Sequence, residues 1–323
     1  MKLNLSKMFF LSFMIIGVMM SLCSNNWLFI WCGMELSLIT FLPLIESNLI
    51  ISSESSIKYF LVQSFSSSIL ILGLMMMLMK INNYSFIVIF SILTKLGVAP
   101  FHLWVVSVVD GLNKNPMILM LTISKITPMM MLTMLGLSIN WAVLITLLVG
   151  SIMGLNQTST RKMLTYSSIF NMGLVILSLS NNFIWFFYLA TYSVLISVLI
   201  SLMYKMNTFY INQLMMSNST IFNKMIIWTL LLSLGGMPPF IGFSIKLAVI
   251  ELVLYKTMIL NTVLIILMSL LVMFFYLRLT YMSLMFFSTS TKMMLMNMTK
   301  ISLLISLINI FGLVLILTMK LFE

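Results

Sequence analysis

"TKLGVAPFHLW", Thr94–Trp104, interrupts a long apolar run with a lysine, the chain's single histidine, a glycine and a proline. None of the four suits a plain lipid-facing helix. Glycine and proline open the backbone hydrogen-bond ladder, and non-helical backbone at membrane depth is tolerated only inside protein or along a watery cavity. A second stretch, "LSLGGMPPFIGFSIK" (232–246), again joins glycines and prolines to a lysine. The pair predicts a helical membrane protein with two broken helices, one in each half. That is the pattern of an inverted-repeat transporter whose sites lie at the breaks.

Composition agrees. Of 323 residues, 62% are hydrophobic and 7% charged, and the mean hydropathy is +1.18. Soluble domains carry about 25% charged residues, so a soluble globule is excluded. At roughly 20 residues per crossing, the apolar runs predict about eleven transmembrane helices. They lie near 8–23, 27–45, 57–79, 84–109, 116–136, 139–156, 163–180, 182–204, 226–254, 258–281 and 301–320. The expected fold is all-α and polytopic, one integral membrane domain over 1–323. The first run lacks a small-residue cleavage site and reads as a retained helix.

The net charge of +11 comes from 17 basic and 6 acidic residues. Basic residues stand singly between apolar runs, as topology signals do, and this excludes nucleic acid as a partner. Alternating the loops between two sides puts Lys2, Lys7, Lys58, Lys114, Arg161, Lys162, Lys205, Lys224, Arg278, Lys292 and Lys300 on the N-terminal side. Lys80, Lys256 and Lys320 fall on the other. The N-terminus is therefore expected to face the negative compartment, and an odd number of crossings puts the C-terminus opposite. Methionine occurs 35 times but alanine only at Ala99, Ala142, Ala190 and Ala248. Packing favours small residues at membrane helix contacts, so this bias points to an AT-rich organelle genome. In a mitochondrion the N-terminal side is the matrix.

Cys23 and Cys32 match no metal spacing, and with one histidine the chain cannot assemble a haem pair, an iron–sulfur cluster or a four-ligand zinc site. No G-x-G-x-x-G or P-loop pattern occurs.

Three lysines remain, Lys95, Lys125 and Lys246, all inside predicted crossings. A lysine at mid-bilayer costs about 2.5–3.5 kcal/mol on insertion scales. Burial disfavours a lysine's charged form, so one supplied with water and a counter-charge can exchange protons near neutrality. Each stands beside helix breakers: Lys95 before Gly97 and Pro100, Lys125 before Pro128, Lys246 after Gly235, Gly236, Pro238, Pro239 and Gly242. Pro128 alone is also compatible with an ordinary kink. Glu35, in "WCGMELSLITFLPL", is the expected buried counter-charge, and His102 an auxiliary relay or a hydrogen-bonded core histidine. Asp110 and Glu251 sit at segment ends and read as interfacial.

Six stretches, in order, carry a resemblance: "WCGMELSLITFLPLI" (31–45), "SIKYFLVQ" (56–63), "TKLGVAPFHLW" (94–104), "GLNQTSTRKMLTYSSI" (154–169), "LSLGGMPPFIGFSIK" (232–246) and "YLRLTY" (276–281). The chain resembles the mitochondrially encoded chain 2 family of respiratory complex I, NADH:ubiquinone oxidoreductase, an antiporter-like subunit. The resemblance implies an eleven-helix form of a fold with fourteen helices in other lineages. It places the chain in the inner mitochondrial membrane, beside other membrane-arm subunits and inner-membrane lipids such as cardiolipin. It also implies no cofactor in this chain, with FMN, iron–sulfur clusters and ubiquinone in other subunits. Glu35, Lys95, Lys125 and Lys246 match the family's buried charges, and His102 the histidine of its "PFH" stretch. The sequence departs from the family pattern at Ser107, Ile123, Ser124, Asn171 and Ile245, none of which removes a principal charge. The implied function is proton translocation coupled to quinone reduction. A stand-alone cation/proton antiporter and a structural scaffold are the alternatives.

Overall fold

The computed structural model describes residues 5–47, 49–80, 84–136, 139–216 and 221–287, together with Asn309. Apart from Asn309 the predicted helix at 301–320 lies outside the described residues, as do Lys2, Lys292, Lys300 and Lys320. Among the described residues the chain is α-helical, with no strand beyond an isolated bridge, Ser159–Tyr210. Two compact units divide it, Met1–Thr146 and Leu147–Glu323.

The first unit holds α1 (Leu5–Cys23), α2 (Trp27–Ile45), α3 (Ile50–Leu78), α4 (Tyr84–Leu96), α5 (Leu103–Val109), α6 (Lys114–Leu121) and α7 (Ile126–Leu135). A 3₁₀ turn, Ile123–Lys125, joins α6 to α7. The unit boundary falls within α8 (Asn140–Leu155). The second unit continues with α9 (Thr160–Leu177), α10 (Asn182–Lys205), α11 (Ile211–Met216), α12 (Ile221–Gly235), α13 (Ile241–Tyr255) and α14 (Ile259–Phe287). Seven helical stretches among the described residues are long and apolar enough to cross a membrane: 5–23, 27–45, 50–78, 114–135, 160–180, 182–205 and 259–281.

Both expected breaks are present, and they are built alike. Gly97 (φ +65°) and Gly236 (φ +89°) end α4 and α12 in the left-handed region that glycine enters without a Cβ penalty. In each case the following N–H reaches back five residues, Val98 to the Leu93 carbonyl and Met237 to the Leu232 carbonyl. Gly97 and Gly236 themselves donate to the Thr94 and Ser233 carbonyls. These are the paired bonds of a Schellman cap. The prolines then prevent continuation, and Phe101 and Phe240 each donate three residues back, to Val98 and Met237. A short repeat, Gly-x-x-Pro-Phe at 97–101 and 236–240, writes both breaks.

A third break lies at Thr122–Lys125, which the hydropathy run 116–136 concealed. Thr122 leaves helical geometry (φ −123°, ψ −78°) and the chain tightens into the 3₁₀ turn. Pro128 is therefore not the break itself. It sits in the first turn of α7, where an absent N–H costs little because those donors have no intrahelical acceptor. The third helix also starts at Ile50 rather than 57. Its polar opening, "SSESS", is helical with its hydroxyls satisfied inside the helix: Ser53, Ser55 and Ser56 bond carbonyls three residues back, and Glu54 pairs with Lys58 one turn on.

Within the first unit α1 and α2 pack backbone to backbone. A Cβ on Gly17 would meet the Gly33 carbonyl, and one on Gly33 the Gly17 carbonyl. Small residues allow such approach where hydrophobic collapse gives no drive. In the second unit α9 is buried along nearly its whole length, which makes it the central helix.

Candidate functional site

In the first unit Lys95 lies in the last turn of α4, where helix-end carbonyls favour a cation. Its side chain is 3% exposed, and Nζ is 3.4 Å from Oε1 of Glu35, the half-buried carboxylate on α2. The expected pair is formed. Two carbonyls at this helix end take side-chain donors: Trp104 Nε1 donates to Thr94 at 3.0 Å, and Gln63 Nε2, from α3, donates to Lys95 at 3.1 Å. Phe41, Tyr59 and Trp104 form an aromatic run beside them, with centroids 5.0 and 6.0 Å apart.

Lys125, the last residue of the 3₁₀ turn, is buried. Lys95 and Lys125 line one cavity of about 30 Å³, together with Tyr59, Gln63, Ser124 and Thr127. That is room for about two waters among polar partners. The break at 122–125 is what turns Lys125 out of a continuous helix and into this cavity. His102 caps α5 and donates from Nδ1 to the Pro100 carbonyl at 3.2 Å. It is not among the residues lining that cavity.

In the second unit Lys246, on α13, reaches back across its break. Its ammonium donates to the Leu234 and Gly235 carbonyls at 2.9 and 2.7 Å and lies 5.7 Å from the centroid of Phe170. The charge thus caps the C-terminus of α12. A cavity of about 20 Å³, room for about one water, is bounded by Lys246, Asn171, Tyr188, Tyr192 and Ser233. Tyr188 donates to Asn171 Oδ1 at 2.9 Å.

A helical chain with two glycine–proline breaks and a buried Lys–Glu pair can be compared with known proteins. The family described as NADH:quinone oxidoreductase/Mrp antiporter, TM, matches residues 24–274. NADH-ubiquinone oxidoreductase chain 2 of Anopheles gambiae is 36% identical over 97% of both chains. The chain 2 protein of Aedes aegypti is 34% identical over 91% of this chain and 90% of its own. This chain belongs to the NADH-ubiquinone oxidoreductase chain 2 family. In the solved structure of respiratory complex I from Thermus thermophilus with bound aureothin, one chain shares the fold. Its TM-score is 0.83 at 18% identity, over 98% of this chain and 78% of that one.

The departures from the chain 2 pattern now have places. Ser124 lines the first cavity and donates to Met120. Ser107 donates to the Trp104 carbonyl at 3.0 Å, and Ile245 lines the second cavity. Asn171 occupies the second cavity as the acceptor for Tyr188. Sequence reading missed Gln63, Tyr188 and Tyr192 as site residues. The signal for Gln63 was available, since an uncharged amide deep in an apolar helix needs a partner. Tyr188 and Tyr192 stand one turn apart in an aromatic-rich helix, and nothing in their spacing separates them from core residues.

Proposed function

We propose that this chain is a proton-translocating membrane-arm subunit of mitochondrial NADH:ubiquinone oxidoreductase, with Glu35, Lys95, Lys125 and Lys246 as its proton-binding groups. The observation that carries the reading is the cavity shared by Lys95 and Lys125, with Glu35 held against Lys95. Opposite charges at this distance stabilise one another, and like charges at one cavity disfavour simultaneous protonation, so the groups titrate as a set. When the Glu35–Lys95 contact is tight, Lys95 keeps its proton. When it loosens, the cavity offers a route by which the proton passes to water and Lys125. Lys246 is the corresponding group of the second unit, and His102 an auxiliary one. Quinone reduction elsewhere in the complex supplies the change in charge that drives the sequence.

On this reading FMN, the iron–sulfur clusters and ubiquinone sit in other subunits, and the partners of the chain are its membrane-arm neighbours. The N-terminus faces the matrix and the C-terminus the intermembrane space, and basic residues at the start of α9, Arg161 and Lys162, meet lipid headgroups, cardiolipin among them. The test is the Lys125→Met complex reconstituted in liposomes. Loss of proton pumping in assembled complex is expected. Pumping at unchanged rate and stoichiometry would overturn the reading.

A further inference from the structure

The two glycine breaks share a backbone design but occupy it differently, and the difference singles out Gln63. Aligning Gly97–Phe101 with Gly236–Phe240 makes the Lys95 carbonyl the counterpart of the Leu234 carbonyl. In the second unit that carbonyl accepts a hydrogen bond from the ammonium of Lys246. In the first unit it accepts one from the amide of Gln63, a residue 32 positions away on a neighbouring helix and 7% exposed. Only the amide nitrogen can face that carbonyl, because two oxygens there would repel.

Lysines near a helix C-terminus bond the last carbonyls when these are open. Lys246 does so. Lys95 lies in the last turn of the helix itself and does not: the Thr94 carbonyl is held by Trp104 and the N–H of Gly97, and its own, the counterpart of Leu234, by Gln63. Its ammonium is directed instead to Glu35. We infer that Gln63 is the positioning residue of Lys95: its neutral amide takes the helix-end carbonyl, leaving the ammonium to Glu35 and to the cavity that Gln63 itself lines. The inference rests on the proton-transfer reading of Lys95 given above. The titratable groups around the site are Glu35 on α2, Tyr59 on α3 and Lys125 ahead of α7.

The test compares Gln63→Met and Gln63→Glu in assembled complex, measuring proton pumping against pH. Methionine keeps the shape and removes the donor, so pumping is expected to be low at every pH. A glutamic acid donates to the carbonyl only while protonated. When ionised it faces the carbonyl with an oxygen and competes with Glu35 for Lys95. Pumping by Gln63→Glu, relative to the parent complex, is therefore expected to fall about tenfold as rising pH ionises the introduced carboxyl, whose burial disfavours the charged form. A flat ratio for Gln63→Glu, or parental pumping by Gln63→Met, overturns the inference. Should Gln63→Met fail to assemble, the pH profile of Gln63→Glu decides alone. If neither assembles, Gln63 is a folding residue and the inference is wrong. Lys95→Met separates the two levels: if it pumps normally, the proton-transfer reading fails. If it is inactive while both Gln63 variants pump normally, the positioning role alone fails.

Discussion

Gly235 and Gly236 are adjacent, yet alanine at the two positions is expected to have opposite consequences. Gly236 has φ +89°, and a Cβ there would stand 2.9 Å from Cδ and 3.1 Å from Nζ of Lys246. An L-residue in the left-handed region costs about 1–2 kcal/mol. Displacing the ammonium from one of its two carbonyls forfeits a charged hydrogen bond of about 1.5–3 kcal/mol. The total, about 2.5–5 kcal/mol, disfavours the native break by at least about two orders of magnitude. Gly235 is helical, and its Cβ would meet nothing nearer than 3.6 Å, an ordinary contact with Met273. Alanine there is neutral or favourable by up to about 1 kcal/mol. The assay is the amount of assembled complex and its proton pumping in reconstituted vesicles. Gly236→Ala should lose most of its pumping while Gly235→Ala matches the parent. Equal behaviour of the two, or greater damage from Gly235→Ala, would refute the cap of α12 by Lys246.

Glu35→Gln leaves Lys95 buried without its carboxylate and should destabilise the assembled subunit by about 3–5 kcal/mol. Adding Lys95→Met to it should recover part of the assembly yield, and a double-mutant cycle on that yield checks the coupling. Pro128→Ala should change stability by less than about 1 kcal/mol and leave pumping intact, because the break lies upstream at Thr122–Lys125. Thermal unfolding of the purified complex tests this. Glu54→Gln removes a surface pair whose side chains are 61% and 44% exposed. It should shift the same unfolding transition by less than about 0.5 kcal/mol.

Hydropathy located the helices well where apolar runs ended in polar residues, as at 27–45 and 182–205. It failed where polarity did not mean exposure. The serines before Ile57 looked like a loop, but the helix starts at Ile50 and their hydroxyls are satisfied by its own carbonyls. It also passed over Thr122, because a run can stay apolar while its backbone leaves helical geometry. Glycine with proline is a strong local signal, since each acts on the backbone directly. That is why the breaks at 97–100 and 235–239 were legible and the one at 122–125 was not.

The sequence by itself determined the all-helical membrane class, both glycine breaks, the three buried lysines and the half-buried Glu35. Each follows from the cost of placing a charge or an open backbone in hydrocarbon, a property of single residues and their neighbours. The tertiary structure alone decided which groups meet. It set Glu35 against Lys95, turned Lys125 into the cavity beside Lys95, and gave Gln63 and Lys246 equivalent carbonyls to hold. Those contacts join residues far apart along the chain, and their distances depend on how helices cross and where they break, which hydrophobic periodicity does not encode.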